Sequence, residues 1–174
     1  MIFMIRQRKR GLLYELLSIL FGLYIIAVLD AVFFPIMIPD NWPANLNAAD
    51  TRRALQQVNW TPFHFGSTIR SSAYPEADIQ RFQWFDIIGN ILLTIPLGFG
   101  LPYFVPLKPR TIVWVALAVG IFFEGTQLLI KLVCGVYYHT VDINDVIWNG
   151  MGVLLGYMIF HLLKYFLGKR KEAG

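Results

Sequence analysis

Glu124 lies deep in an apolar stretch that opens at Thr111, with Gln127 three residues further on. Asp142, Asp145 and Asn149 step by three and four along a second apolar stretch, and Asp86 and Asn90 stand four apart at the head of a third. Residues three and four apart share a helix face, so each set makes one polar stripe. Ionisable groups inside apolar spans cost several kcal/mol on insertion scales and are functional-site candidates by default. Carboxyls and amides grouped in this way suit general acid–base work or the binding of a polar headgroup. With Asn carbonyls they would also suit a hard cation. The metal reading is the weakest of these, because His64, His139 and His161 are scattered and no HExxH or related spacing exists. No metal and no other cofactor is expected. The single cysteine, Cys134, excludes an intramolecular disulfide and a Cys-based metal site. There is no Ser/His/Asp elbow and no Gly-rich phosphate loop.

Each polar residue also has an ordinary reading. Asp142 can be a helix N-cap, with Asp145 favoured by the dipole of the first turn. Asn90 and Asn149 can be hydrogen-bond glue between helices. Glu124 is harder to dismiss, since a carboxyl that far into an apolar helix needs a partner, a proton or water. Gly152-x-x-x-Gly156, with Gly150 before it, reads as a packing strip. Pro96 removes a backbone donor and crowds the Leu92 carbonyl, which predicts a kink or helix end.

Four stretches must position these residues, at about Leu12–Phe34, Asp86–Val105, Thr111–Val133 and Val141–Phe166. Each reaches the roughly 20 residues needed to cross a hydrocarbon core. The expected fold class is therefore all-α, a polytopic membrane bundle of four transmembrane helices. It forms a single domain over 1–174 with one larger outer loop at about 35–85. Pro39, Pro43, Pro62 and Pro75 punctuate that loop, and a short helix is expected near Asn47–Gln57. The basic N-terminus with Arg6, Arg8, Lys9 and Arg10 resembles a signal-peptide start. The apolar run behind it is too long and lacks a cleavage site, so a retained helix is expected.

Composition supports the same class. Hydrophobic residues are 56% and charged residues 15% of the chain, against about 45–50% and about 25% in soluble proteins. Mean hydropathy is +0.54. Aromatics reach 16%, as expected where rings line a bilayer boundary. A disordered chain, a disulfide scaffold and a nucleic-acid module are poor fits. The net charge of +4 reads as a topology signal. With the N-terminus inside, Lys108, Arg110, Lys164, Lys169, Arg170 and Lys171 join the N-terminal cations inside. Arg52, Arg53, Arg70, Arg81 and Lys131 fall outside. Both termini are then cytoplasmic. Glu124 lies thirteen rises of about 1.5 Å from the inner side, roughly 20 Å up. Asp30, Asp86, Asn90, Asp142, Asn144, Asp145 and Asn149 also fall in the outer half. Apart from Lys131, nearer the outer end of its helix, no Lys or Arg lies within the spans near this acidic cluster. Raised pKa values, a bound cation or a loop guanidinium must compensate, and one of Arg52, Arg53, Arg70 or Arg81 is expected to fold over it.

Four blocks carry a family resemblance. They are Asn59-Trp60-Thr61-Pro62-Phe63, then Gly89 to Gly98 with Asn90 and Pro96, then Glu124-Gly125-Thr126-Gln127, and finally Asp142 to Gly152 with Gly156. In type and order they resemble the VanZ-like family, with its outer-loop N-x-x-P-F followed by N-x-x-x-x-x-P-x-G, E-x-x-Q and D-x-x-D-x-x-x-N-x-x-G helices. The resemblance covers about Asn59–Tyr157. It implies a small bacterial membrane protein, with members associated with reduced susceptibility to teicoplanin and related lipoglycopeptides. The motif positions carry over as Asn59, Pro62, Phe63, Asn90, Pro96, Gly98, Glu124, Gln127, Asp142, Asp145, Asn149 and Gly152. Many members have an Arg where this chain has Tyr138 and His139, and an acid where Asn144 stands. The absent Arg argues against local neutralisation by that cation and draws attention to a substitute from the loop or from His139.

Three functions follow as expectations. The first is a non-enzymatic envelope protein of the bacterial plasma membrane. Its outward pocket (Asn59, Asp86, Asn90, Glu124, Gln127, Asp142, Asp145, Asn149) would engage a membrane lipid or a lipid-linked cell-wall precursor. The second is an enzyme on an envelope lipid, with Glu124, Asp142 and Asp145 as acid–base residues. The third, a small transporter or channel, is disfavoured because no internal repeat and no polar stripe in the inner half are present.

Overall fold

The computed structural model describes residues 11–36, 38, 40, 43, 47–63, 76–134 and 139–172, with the backbone alone at 76, 77, 79 and 170–172. Five helices and no strand lie among the described residues. The chain divides into two units, Met1–Phe34 and Pro35–Gly174.

Among the described residues, the first unit holds one helix, α1 (Leu12–Phe33), with mean hydropathy 2.5. Its one hydroxyl on a serine, at Ser18, donates to the Tyr14 carbonyl at 2.8 Å, which satisfies that group without a neighbour. Phe34 N–H closes the helix on Asp30 O, and Pro35 cannot continue it.

The second unit holds α2 (Ala48–Gln56), α3 (Glu76–Phe104), α4 (Pro109–Cys134) and α5 (Ile143–Glu172). Asn47 caps α2, its Oδ1 accepting from the N–H groups of Ala49 and Asp50 at 3.0 Å each. With α1, the three long helices make four candidate membrane spans. This is an all-α, multi-pass membrane protein.

Helix α5 is central and packs against both α3 and α4. Helices α3 and α5 run parallel, since Asn90 meets Asn149, Thr94 meets Gly152 and Phe99 meets Phe160 in succession. The approach is close enough that side chains are excluded. A Cβ on Gly98 would run into the Val153 backbone, one on Gly152 into Thr94 Oγ1 and the Ile91 carbonyl, and one on Gly156 into the Ile95 carbonyl. Helix α4 seats Gly120 against Val146 and Ala116 against Gly150. Ile112, Ala116, Val153 and Tyr157 form the buried centre, and the Tyr157 hydroxyl donates to Leu107 O at 3.3 Å.

Two sequence expectations change. Helix α3 begins at Glu76, well before Asp86, because Glu, Asp, Gln and Arg extend a helix that the apolar run alone does not reveal. It also continues through Pro96 and Pro102, so Pro96 does not end it. Helix breakers are tolerated in membrane spans where neighbouring groups meet the freed backbone atoms.

Candidate functional site

The site is built around the first turn of α5. A helix start leaves backbone N–H groups without intrahelical partners, and at a membrane boundary each must find an acceptor. Here they are met in turn. Ile143 N–H donates to Asn59 O at 3.0 Å, Asn144 N–H to Asp142 Oδ1 at 2.8 Å, and Asp145 N–H to Asp142 O at 3.0 Å. Asp142 is thus the N-cap. Its own N–H donates to Glu124 Oε2 on α4 at 3.0 Å. Glu124 is buried, and this bond gives its carboxyl a fixed task.

Asn59 is the second half of the cap. Its backbone pairs with Val141 and Ile143 as an isolated parallel bridge, and its side-chain amide donates to both Asp142 oxygens at 3.0 Å. The following turn is fastened too. Thr61 N–H donates to Asn59 Oδ1 at 3.1 Å, and Phe63 N–H to Asn144 Oδ1 at 2.6 Å. Asn144 Nδ2 returns to Asp142 Oδ1 at 2.8 Å.

One turn further along α5, Asn149 is 2% exposed. Its Nδ2 donates to Asn90 Oδ1 at 3.1 Å and to Asp145 O at 2.9 Å. Thr94, fully buried, donates from Oγ1 to Asn149 O at 2.8 Å. Asp86, at the exposed rim, lies beside Asp145. Asp86, Glu124 and Asp142 all act electrostatically on Asp145. Two acceptors, Asp145 Oδ1 and Asn149 Oδ1, are buried with no hydrogen-bond partner among the described residues.

The structure therefore brings together Asn59, Asp86, Asn90, Glu124, Asp142, Asp145 and Asn149. Gln127 stands one turn beyond Glu124 and is half-buried. Among the loop cations, Arg52 and Arg81 are exposed, Arg53 pairs with Asp50 at 3.4 Å, and Arg70 lies outside the described residues. None of the described Lys or Arg side chains pairs with the four carboxyls. Among the described residues no group of three or more His, Cys, Asp and Glu is arranged to hold a metal ion.

The VanZ/LLP1 family model matches residues 21–164. The chain belongs to the VanZ/LLP1 family. No curated protein and no solved structure matches it. The VanZ-like blocks are thereby given physical sense in this chain. The loop N-x-x-P-F and the D-x-x-D start of α5 are two halves of one cap, and the α3 and α5 asparagines are directly bonded.

Two residues of this VanZ/LLP1 protein, Thr94 and Lys131, escaped the sequence reading of the site, and a third, Asn144, was placed in the outer half without a role. Asn144 ties the loop to the cap, and Thr94 bridges α3 and α5. Lys131, counted among the outer cations, is 2% exposed, its Nζ donating to His139 O at 3.2 Å just ahead of the cap. Thr94 faces α5 beside the small-residue strip, which is the one signal that marks it. Nothing in the pattern of the α4 terminus distinguishes Lys131 from a solvated lysine.

Proposed function

We propose that this VanZ/LLP1 protein resides in the bacterial plasma membrane with both termini in the cytoplasm. Its polar end opens outward and engages the headgroup of a membrane lipid or a lipid-linked cell-wall precursor. By holding or shielding that headgroup it lowers susceptibility to teicoplanin and related lipoglycopeptides. The observation that carries this reading is the convergence of four carboxyl groups from three helices, with no described Lys or Arg paired to them. Two buried acceptors in the same place lack donors. Buried polar atoms are normally satisfied, and a headgroup hydroxyl, amide or ammonium supplies the missing donor.

The second reading, an enzyme acting on an envelope lipid, draws on the neighbouring carboxyl groups of Asp86 and Asp145. Paired carboxyls of this kind divide into acid and base. Glu124 and Asp142 serve it less well, since both bind backbone N–H groups.

The test is lipoglycopeptide susceptibility in a Gram-positive host carrying wild type, Glu124→Gln or Asp145→Asn at matched membrane levels. Protection by wild type that both substitutions abolish supports the site. Equal protection by all three reduces the cluster to capping and packing. Lipid analysis of the same strains separates the readings, because only an enzyme leaves a changed lipid.

A further inference from the structure

The Asn59–Phe63 turn exposes two large aromatic side chains, Trp60 at 59% and Phe63 at 64%. The stretch Val58–Phe63 contains no charged residue. The turn is also fixed in height. Asn59 pairs with Val141 and Ile143, and Phe63 N–H is bonded to Asn144. It is therefore bolted to the first residues of a membrane span, Ile143–Lys169.

Phe63 adopts φ 57, the left-handed region that a bulky side chain rarely enters. Strained backbone of this kind persists only when its surroundings over-determine it. The Asn59 side-chain turn and the Asn144 bond do so here, and the result is a ring turned outward.

Other aromatics stand at the same level. Because α3 and α5 run parallel with Asp86 beside Asp145, the turn before Asp86 is level with Asp142–Asn144. That turn carries Phe82, Trp84 and Phe85, all exposed. At the far end of α3, Tyr103 is exposed too. About 20 residues of helix separate the two aromatic levels, roughly 30 Å, which is the thickness of a hydrocarbon core. Trp and Tyr concentrate at such boundaries, and exposed apolar patches mark binding surfaces.

The geometry points to a membrane-seated finger: Trp60 and Phe63 rest in the interfacial layer of the lipid bilayer, completing a ring of aromatics with Phe82, Trp84 and Phe85. The partner is the lipid surface, and continuity with the apolar faces of α3 and α5 selects it over a soluble protein. The finger sets the depth of the α5 cap, placing Asp142 at the boundary and Asp86 and Asp145 just inside it.

The experiment uses the full chain in a Cys134→Ser background with a nitroxide label at Trp60→Cys or Phe63→Cys. Reference labels are Trp84→Cys and Arg53→Cys, in vesicles of phosphatidylglycerol and phosphatidylethanolamine. Labels at 60 and 63 are expected to match 84, favouring collision with oxygen over a water-soluble nickel chelate, while 53 shows the reverse. Nickel access at 60 and 63 equal to that at 53 overturns the proposal. So does protection from both probes, which would mean coverage by protein. Trp60→Phe keeps an aromatic ring and serves if the cysteine variants fail to fold. Wild type should show a component of fluorescence quenched by lipids brominated near the headgroup that Trp60→Phe lacks, and an unchanged quenching profile overturns the proposal.

Discussion

At the residue scale, Glu124 separates structure from function. Its Oε2 accepts the Asp142 N–H, and a glutamine carbonyl can accept the same bond. Glu124→Gln should therefore keep the wild-type melting behaviour in detergent while losing lipoglycopeptide protection. Glu124→Ala leaves a backbone donor unpaired at a part-buried position, which costs about 1–3 kcal/mol, and should lower both the melting temperature and the membrane level. Asp145→Asn keeps the size of the side chain and removes its charge beside Asp86, so it should fold normally and abolish protection. Equal loss of stability in the alanine and amide variants would remove this distinction. Depth and spacing made Glu124, Asp142, Asp145 and Asn149 legible in the sequence. Asn90 was legible as a hydrogen-bonding partner for Asn149, but Asn59 entered only through the family motif, because it reaches Asp142 across 83 positions and no local pattern encodes such a contact.

At the element scale, the glycines divide into two classes. Gly152→Ala drives a methyl into Thr94 Oγ1 and the Ile91 carbonyl, backbone that cannot easily yield, and overpacking of this kind costs typically about 1–3 kcal/mol. At Gly89 a methyl would stand in open space, with nothing within 4 Å, so Gly89→Ala should be neutral or gain up to about 1 kcal/mol from helix propensity. Thermal unfolding of the two variants side by side checks the pair, and equal melting temperatures would contradict the tight α3–α5 seam. The small-residue strip on α5 was readable from its spacing. Its partner helix was not, since spacing identifies a face but not what lies against it. The start of α3 was missed for a different reason. An apolar run marks where lipid contact begins, whereas the helix starts wherever propensity and N–H accounting allow.

At the scale of the whole molecule, four apolar spans and the VanZ/LLP1 match establish a multi-pass membrane protein. Composition and blockwise resemblance already carried both conclusions. The proposed orientation makes a separate prediction. In the Cys134→Ser background, Arg53→Cys should react with an impermeant maleimide on intact cells, and Lys108→Cys only after permeabilisation. The reverse pattern would place the carboxyl cluster on the cytoplasmic side and remove the outward headgroup reading, leaving the fold untouched.

The cap that joins Asn59 to Asp142 also imposes an order on biogenesis. A ribosome finishes the loop and then α4 before it makes α5, so the nascent chain carries an acceptor on Glu124 and a waiting amide on Asn59 with no helix start to receive them. Until α5 arrives, a carboxyl sits in an apolar segment without its backbone partner. A chain truncated before Asp142 is held in that unfinished state permanently. Such fragments should be cleared rapidly by membrane proteolysis, and assembly should be all-or-none with respect to the last helix.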